Sequence, residues 1–114
     1  MPTRVTLRLD FDAGRKLGPG KIALLEAIRE TGSISAAGRA HQMSYRRAWL
    51  LVEELNTMFA EPLVLARPGG ANGGGATLTA AGERVVSLYR EAERKSRVGA
   101  SAEIARIEKT LAES

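Results

Sequence analysis

Two helix starts fall within one short stretch, Gly32-Ser-Ile-Ser-Ala-Ala-Gly-Arg-Ala-His-Gln-Met-Ser-Tyr-Arg-Arg-Ala-Trp49. Ser33 or Ser35 can cap the first and Ser44 the second, with a tight turn around His41, Gln42 and Met43 between them. The first helix is built from Ala36, Ala37, Gly38 and Ala40, so a second helix can cross it closely. The second opens with Tyr45, Arg46 and Arg47 in its first turn. Two short helices joined by a turn of roughly three to four residues, the second presenting cations at its N-terminal end, make a helix-turn-helix that offers side chains to a DNA groove. The competing reading is an ordinary helical hairpin with a solvated basic face.

A chain of 114 residues, 44% of them hydrophobic, is one domain with a modest core. With one Trp, two Tyr and two Phe, packing falls to Leu, Ile, Val and Ala, which suits a mainly helical fold. The absence of cysteine excludes disulfides and thiolate metal sites. The single histidine, His41, argues against zinc and reads as a solvated turn residue. No apolar run approaches the ~20 residues of a membrane span. The first residues also lack the apolar core of a secretory signal, so a cytoplasmic location without membrane association is expected. The net charge of +4 suits a polyanionic partner without establishing one. Its distribution says more: between Arg39 and Val52 there are three arginines and no acid.

Over residues 4–10, Val5, Leu7 and Leu9 alternate with Thr6, Arg8 and Asp10, predicting a strand with one buried face. Residues 12–14 and 17–20 predict loops. A helix is expected from Lys21, with Ile22, Leu24, Leu25 and Ile28 inward, ending at Thr31 and Gly32. The helix from Ser44 carries Ala48, Leu51, Val52, Leu55 and Phe59 on one face, opposite Arg46, Leu50, Glu53 and Thr57. Residues 63–67 and 76–79 predict a β-hairpin with a glycine-rich tip. Thr79 caps a last helix from Ala80, carrying Val85, Val86, Leu88 and Tyr89. Gly99 and Ser101 mark a break, and helical spacing resumes over 102–112 with Ile104, Ile107 and Leu111.

A helix-turn-helix followed by such a hairpin is a winged helix. The residues Gly32-Ser-Ile-Ser-Ala-Ala37, Met43-Ser-Tyr-Arg-Arg-Ala-Trp49 and Gly69-Gly-Ala-Asn-Gly-Gly-Gly-Ala-Thr-Leu-Thr79, with Gly82 beyond, resemble the DNA-binding domain of the molybdate-responsive ModE regulators. More distantly they are similar to the LysR-type N-terminal domain. The resemblance covers about residues 17–89 and implies control of genes for molybdenum or tungsten handling. Full-length members carry a C-terminal oxyanion-binding module without a counterpart in these residues. No molybdate-sensing residue is therefore carried over, and molybdate binding is not expected in this chain. The family's best-known members begin with a helix that aids dimerisation, where residues 4–10 here read as a strand.

Arg46, on the outward face, is the candidate for gripping guanine bidentately; Arg47 suits either a base or a phosphate. Tyr45 can reach phosphate while its ring packs at the core edge. Ser33, Ser35 and Ser44 can cap helices and donate to phosphate. Trp49 reads as a wedge between helices. In the wing, the glycines, Gly73 among them, let backbone approach the DNA, with Asn72 and Arg67 adding polar contacts. Val85, Leu88, Tyr89, Ile104, Ile107 and Leu111 exceed what one small domain covers and suggest a two-fold dimer.

The expected fold is mainly α with a small β component. It comprises an N-terminal strand and loop (1–18), a winged helix-turn-helix (19–79) and a C-terminal dimerisation helix (80–114). The expected function is a homodimeric, sequence-specific regulator of transcription on double-stranded DNA, with no catalytic residues, metal or cofactor. Its rivals are a winged-helix protein-interaction module, which the acid-free 39–52 segment argues against, and a small oxyanion-binding protein.

Overall fold

A computed structural model describes residues 3–67 and 75–113. Strands β1 (Leu9–Asp10) and β2 (Lys16–Leu17) form a small antiparallel pair around a 3-10 turn, Asp12–Gly14. Three helices follow, α1 (Pro19–Thr31), α2 (Ile34–Ala40) and α3 (Tyr45–Met58). The wing strands β3 (Val64–Ala66) and β4 (Ala76–Leu78) pair antiparallel, Val64 opposite Leu78 and Ala66 opposite Ala76. Two helices close the chain, α4 (Ala80–Gly99) and α5 (Ser101–Glu108).

The centre of the core is α1. Ile22, Leu24, Leu25 and Ile28 are fully buried against α2, β4 and α4, each burial stabilising by ~1.5–3 kcal/mol. Its end matches the expectation: Gly32 takes the left-handed conformation (φ 69°) and its N–H donates to the Ile28 carbonyl at 2.8 Å. Its start does not. The helix begins at Pro19, inside the expected 17–20 loop, because proline at a first helical position lacks only an N–H that would go unused.

The N-terminal strand is shorter than the alternation predicts. Val5, Leu7 and Leu9 are half-buried and Thr6, Arg8 and Asp10 exposed, so the two-residue period holds. Only Leu9 and Asp10 are in a ladder, because β2 has two residues before the Gly18–Pro19 entry to α1. Upstream, the segment rests on α4, whose Tyr89 hydroxyl donates to the Leu7 carbonyl. In α3, Met58 takes the inward place expected of Phe59, which sits half-buried at the C-cap after the helix turns extended (ψ 161°).

Candidate nucleic-acid interface

The helix-turn-helix is set by two caps and one glycine. Ser33 Oγ accepts the Ala36 N–H at 3.1 Å, so Ser33 rather than Ser35 starts α2. Ser35 lies half-buried in the first turn. Ser44 Oγ accepts the Arg47 N–H at 3.0 Å and starts α3. Between them the Gly38 carbonyl accepts the N–H of His41 at 3.1 Å and of Met43 at 2.8 Å, and Gln42 reverses the chain at φ 58°. A Cβ on Gly38 would lie 2.9 Å from Ala48 Cβ. The small-residue helix thus permits a close crossing of α2 and α3.

That crossing leaves the first turn of α3 outside the core. Ser44, Tyr45, Arg46 and Arg47 are all exposed, and Leu50 continues the same surface. Trp49 is half-buried against the core as a wedge, edge-on to Tyr45 at 6.1 Å. Its indole Nε1 finds no acceptor among the described residues. Several other arginines are matched to acids: Arg8 with Asp10, Arg29 with Glu83, Arg84 with Glu61, Arg90 with Glu26 and Glu93. Among the described residues, the ion pairs include none from Arg39, Arg46 or Arg47. Their positive field is directed at solvent.

The wing is fastened to this unit by a residue the sequence reading passed over. Asn56, on α3, accepts the N–H of Leu63 at 2.8 Å and of Val64 at 3.0 Å through Oδ1, and donates through Nδ2 to the Val64 carbonyl at 3.0 Å. Its one sequence signal is an asparagine inside a helix, where it contributes little to helix stability. On the other strand, the Ala76 N–H donates to the Gly32 carbonyl at 2.9 Å, binding β4 to the joint between α1 and α2. Arg67, exposed at the wing's base, donates its N–H to the Gly75 carbonyl at 2.8 Å. The expected wing contacts Asn72 and Gly73 lie outside the described residues.

At the C-terminal end the expected partner surface divides. Tyr89 is a correction: it is 2% exposed, inside its own chain's core, because the N-terminal segment folds over it. Burial also raises its hydroxyl pKa above the usual 10.0. Val85 is half-buried on that core. Leu88, Val98, Ile107 and Leu111 stand 57–69% exposed, and Ile104 is half-buried. A hydrogen bond from Arg90, partly opposed by burial, holds the Glu26 carboxyl below its usual 4.5 and locks α4 to α1. Among the described residues, no group of three or more His, Cys, Asp or Glu side chains could hold a metal ion. Among them, too, no helix is long and apolar enough to cross a membrane.

Residues 20–83 match the bacterial regulatory helix-turn-helix proteins of the lysR family. The chain is 50% identical over 76 residues to the molybdenum-pterin-binding protein MopB of Rhodobacter capsulatus, covering 67% of this chain and 28% of that protein. It is 42% identical over 87 residues to the molybdenum transport protein ModE of Azotobacter vinelandii, covering 76% and 32%. It is 36% identical over 89 residues to the DNA-binding transcriptional dual regulator ModE of Escherichia coli K12, covering 78% and 34%. The matched stretch is thus about a third of these curated relatives' length. A crystal structure of VV2_1132, a LysR family transcriptional regulator, superposes with a TM-score of 0.53 at 18% identity, covering 73% of this chain and 27% of that one. That likeness supports the winged-helix fold.

Proposed function

Because the chain belongs to the lysR family of bacterial regulatory helix-turn-helix proteins, we propose that it binds duplex DNA sequence-specifically and regulates transcription. The observation that carries this reading is the exposed first turn of α3, with Arg46 and Arg47 outside every ion pair among the described residues. In a major groove, Arg46 reads base edges, while Arg47, Tyr45 and the Ser44 hydroxyl hold backbone. Arg67 follows the neighbouring phosphates from the wing's base.

The molybdenum-pterin-binding MopB, the molybdenum transport protein ModE and the transcriptional dual regulator ModE support control of genes for molybdenum handling. A homodimer fits the same reading, with Leu88, Val98, Ile107 and Leu111 facing a second copy and each α3 taking one half-site of a palindrome. Genome-wide capture of bound DNA, followed by anisotropy titrations on the recovered site, tests it. Affinity should fall steeply with salt as counterions are released. Arg46→Ala should flatten the preference for the recovered site over a scrambled one, whereas Arg67→Ala should weaken both equally. No enrichment of any DNA, with titrations flat in salt, refutes the reading.

A further inference from the structure

A second basic surface adjoins the exposed turn of α3 and extends from it onto the N-terminal hairpin, outside the helix-turn-helix. It is a groove of about 360 Å³ between the β1–β2 hairpin, the start of α1 and α3. Arg8, Lys16, Lys21 and Arg47 line it, over an apolar wall that includes Met43 and Leu51. All its charged lining residues are cations.

These cations are held differently. Lys21 is a brace: its side chain is 12% exposed, and Nζ donates to the Lys16 carbonyl and to Glu54 Oε1, each at 2.7 Å. It thereby fixes β2 to both α1 and α3. Lys16 and Arg47 are exposed and absent from the ion pairs among the described residues. The Arg8 stem lies along Gly18, where a Cβ would stand 3.3 Å from Arg8 Cγ. Among the described residues its head pairs with Asp10 at 3.1 Å, an exposed pair of the kind that contributes little.

We propose that this groove seats the phosphodiester backbone of the DNA strand leaving α3, with Arg8 and Lys16 of the N-terminal hairpin extending the protein's grip beyond the helix-turn-helix. The proposal rests on the DNA-binding reading above. Arg47 carries the argument from one to the other, because it stands in the first turn of α3 and also lines the groove. A strand contacted by that turn passes directly onto Lys16 and Arg8. The brace at Lys21 means the hairpin needs no reordering to receive it. Neither residue is placed against a base, so their contribution is to affinity and its salt dependence.

The test uses the whole chain and its preferred duplex, with Lys16→Gln, Arg8→Gln (which keeps the stem on Gly18) and the double variant. Anisotropy titrations across salt give the slope of log affinity against log salt. Loss of two phosphate contacts should lower that slope by ~1.8, so a fourfold rise in salt weakens the wild type ~12-fold more than the double variant. Preference for the matched site should stay unchanged, and Lys109→Gln, just past the last helix, should leave the slope as it was. A double variant with the wild-type slope, or one no different from Lys109→Gln, overturns the proposal while leaving the winged-helix reading intact. A wild type that binds no duplex overturns both. Neutral methylphosphonates placed just outside the half-site supply a readout that does not depend on protein variants: they should weaken the wild type and spare the double variant. If equilibrium dialysis shows instead that Lys16→Gln abolishes binding of inorganic phosphate without altering the DNA slope, the groove takes a free anion and the DNA assignment is wrong.

Discussion

Adding one methyl group at Gly38 tests whether the α2–α3 crossing rests on contact or on helix propensity. Gly38→Ala gains ~1 kcal/mol because alanine favours a helix interior over glycine. Against that, the new Cβ would stand 2.9 Å from Ala48 Cβ, nearer than real Cβ atoms approach. The helices must part by several tenths of an ångström, and overpacking of this kind costs ~1–3 kcal/mol. The net expectation is a loss of ~0–2 kcal/mol, which lowers the melting temperature of a domain this size by up to ~10 °C. Ala48→Gly alone loses ~1 kcal/mol of helix propensity and about as much again for the missing buried methyl. Combining the two changes moves the methyl from one helix to the other: the propensity terms cancel and the overlap disappears. The double variant should therefore lie within ~1 kcal/mol of wild type, a coupling of ~2–3 kcal/mol in a double-mutant cycle. Urea melts of the four proteins measure it, and anisotropy at matched folded fraction reads the displacement of Arg46 and Arg47. Strict additivity, or a Gly38→Ala protein more stable than wild type with unchanged DNA affinity, refutes the contact argument.

Asn56→Ala strips partners from two N–H groups and one carbonyl at the wing's root; a loss of ~2–3 kcal/mol is expected in urea melts, with DNA affinity falling equally on matched and scrambled sites. Asn56→Asp keeps the acceptor and should lose less. For Glu26, whose folded pKa lies below its unfolded one, the stability contributed is present above the unfolded value and lost as pH falls through the folded value. The gap between wild type and Glu26→Gln should thus be constant above ~pH 5.5, shrink below the unfolded value of 4.5, and, because the Arg90 side of the pair is 42% exposed, never exceed ~1 kcal/mol in pH-resolved melts. Removing residues 99–114 takes away exposed Ile107 and Leu111; sedimentation should show a weaker dimer while the melt barely shifts, and DNA affinity should fall by up to the ~10²–10⁴ that linked half-sites supply. A truncated chain that stays a tight dimer points to pairing through another surface.

What could be read from the sequence was local. Ser44, Thr79 and Gly32 sit where they were expected because a cap needs only the next few residues to act. Gly38 was legible as a small residue between small residues, and its contact with Ala48 is only ten positions away in the chain. The misreadings were at long range. Tyr89 looked like surplus apolar surface because nothing in its helix reveals that Leu7, 82 residues away, lies over it. The alternation over residues 4–10 gave the correct buried side but overstated the ladder, since pairing depends on how many residues the opposite strand can offer. Asn56 and the Arg8–Lys16 groove went unnoticed for the same reason: polar side chains carry no periodicity, and their partners are brought together only by the fold.

Attachments from Asn56, Thr79 and Gly82 converge on residues 62–64. Asn56 grips Leu63 and Val64 from α3, Thr79 donates its N–H to the Leu63 carbonyl at 2.9 Å and its hydroxyl to the Pro62 carbonyl at 2.7 Å, and Gly82 brings α4 so near that a Cβ would overlap the Leu63 oxygen. This corner works as a rigid joint between the wing root, the rear of α3 and the first turn of α4, and Tyr89 and Arg90 fasten the next turns of α4 to the body of the domain. A tilt of that first turn has no slack to absorb it against Leu63. On the DNA-binding reading proposed above, the wing and α3 would therefore meet a duplex as one body, at an angle fixed by this joint.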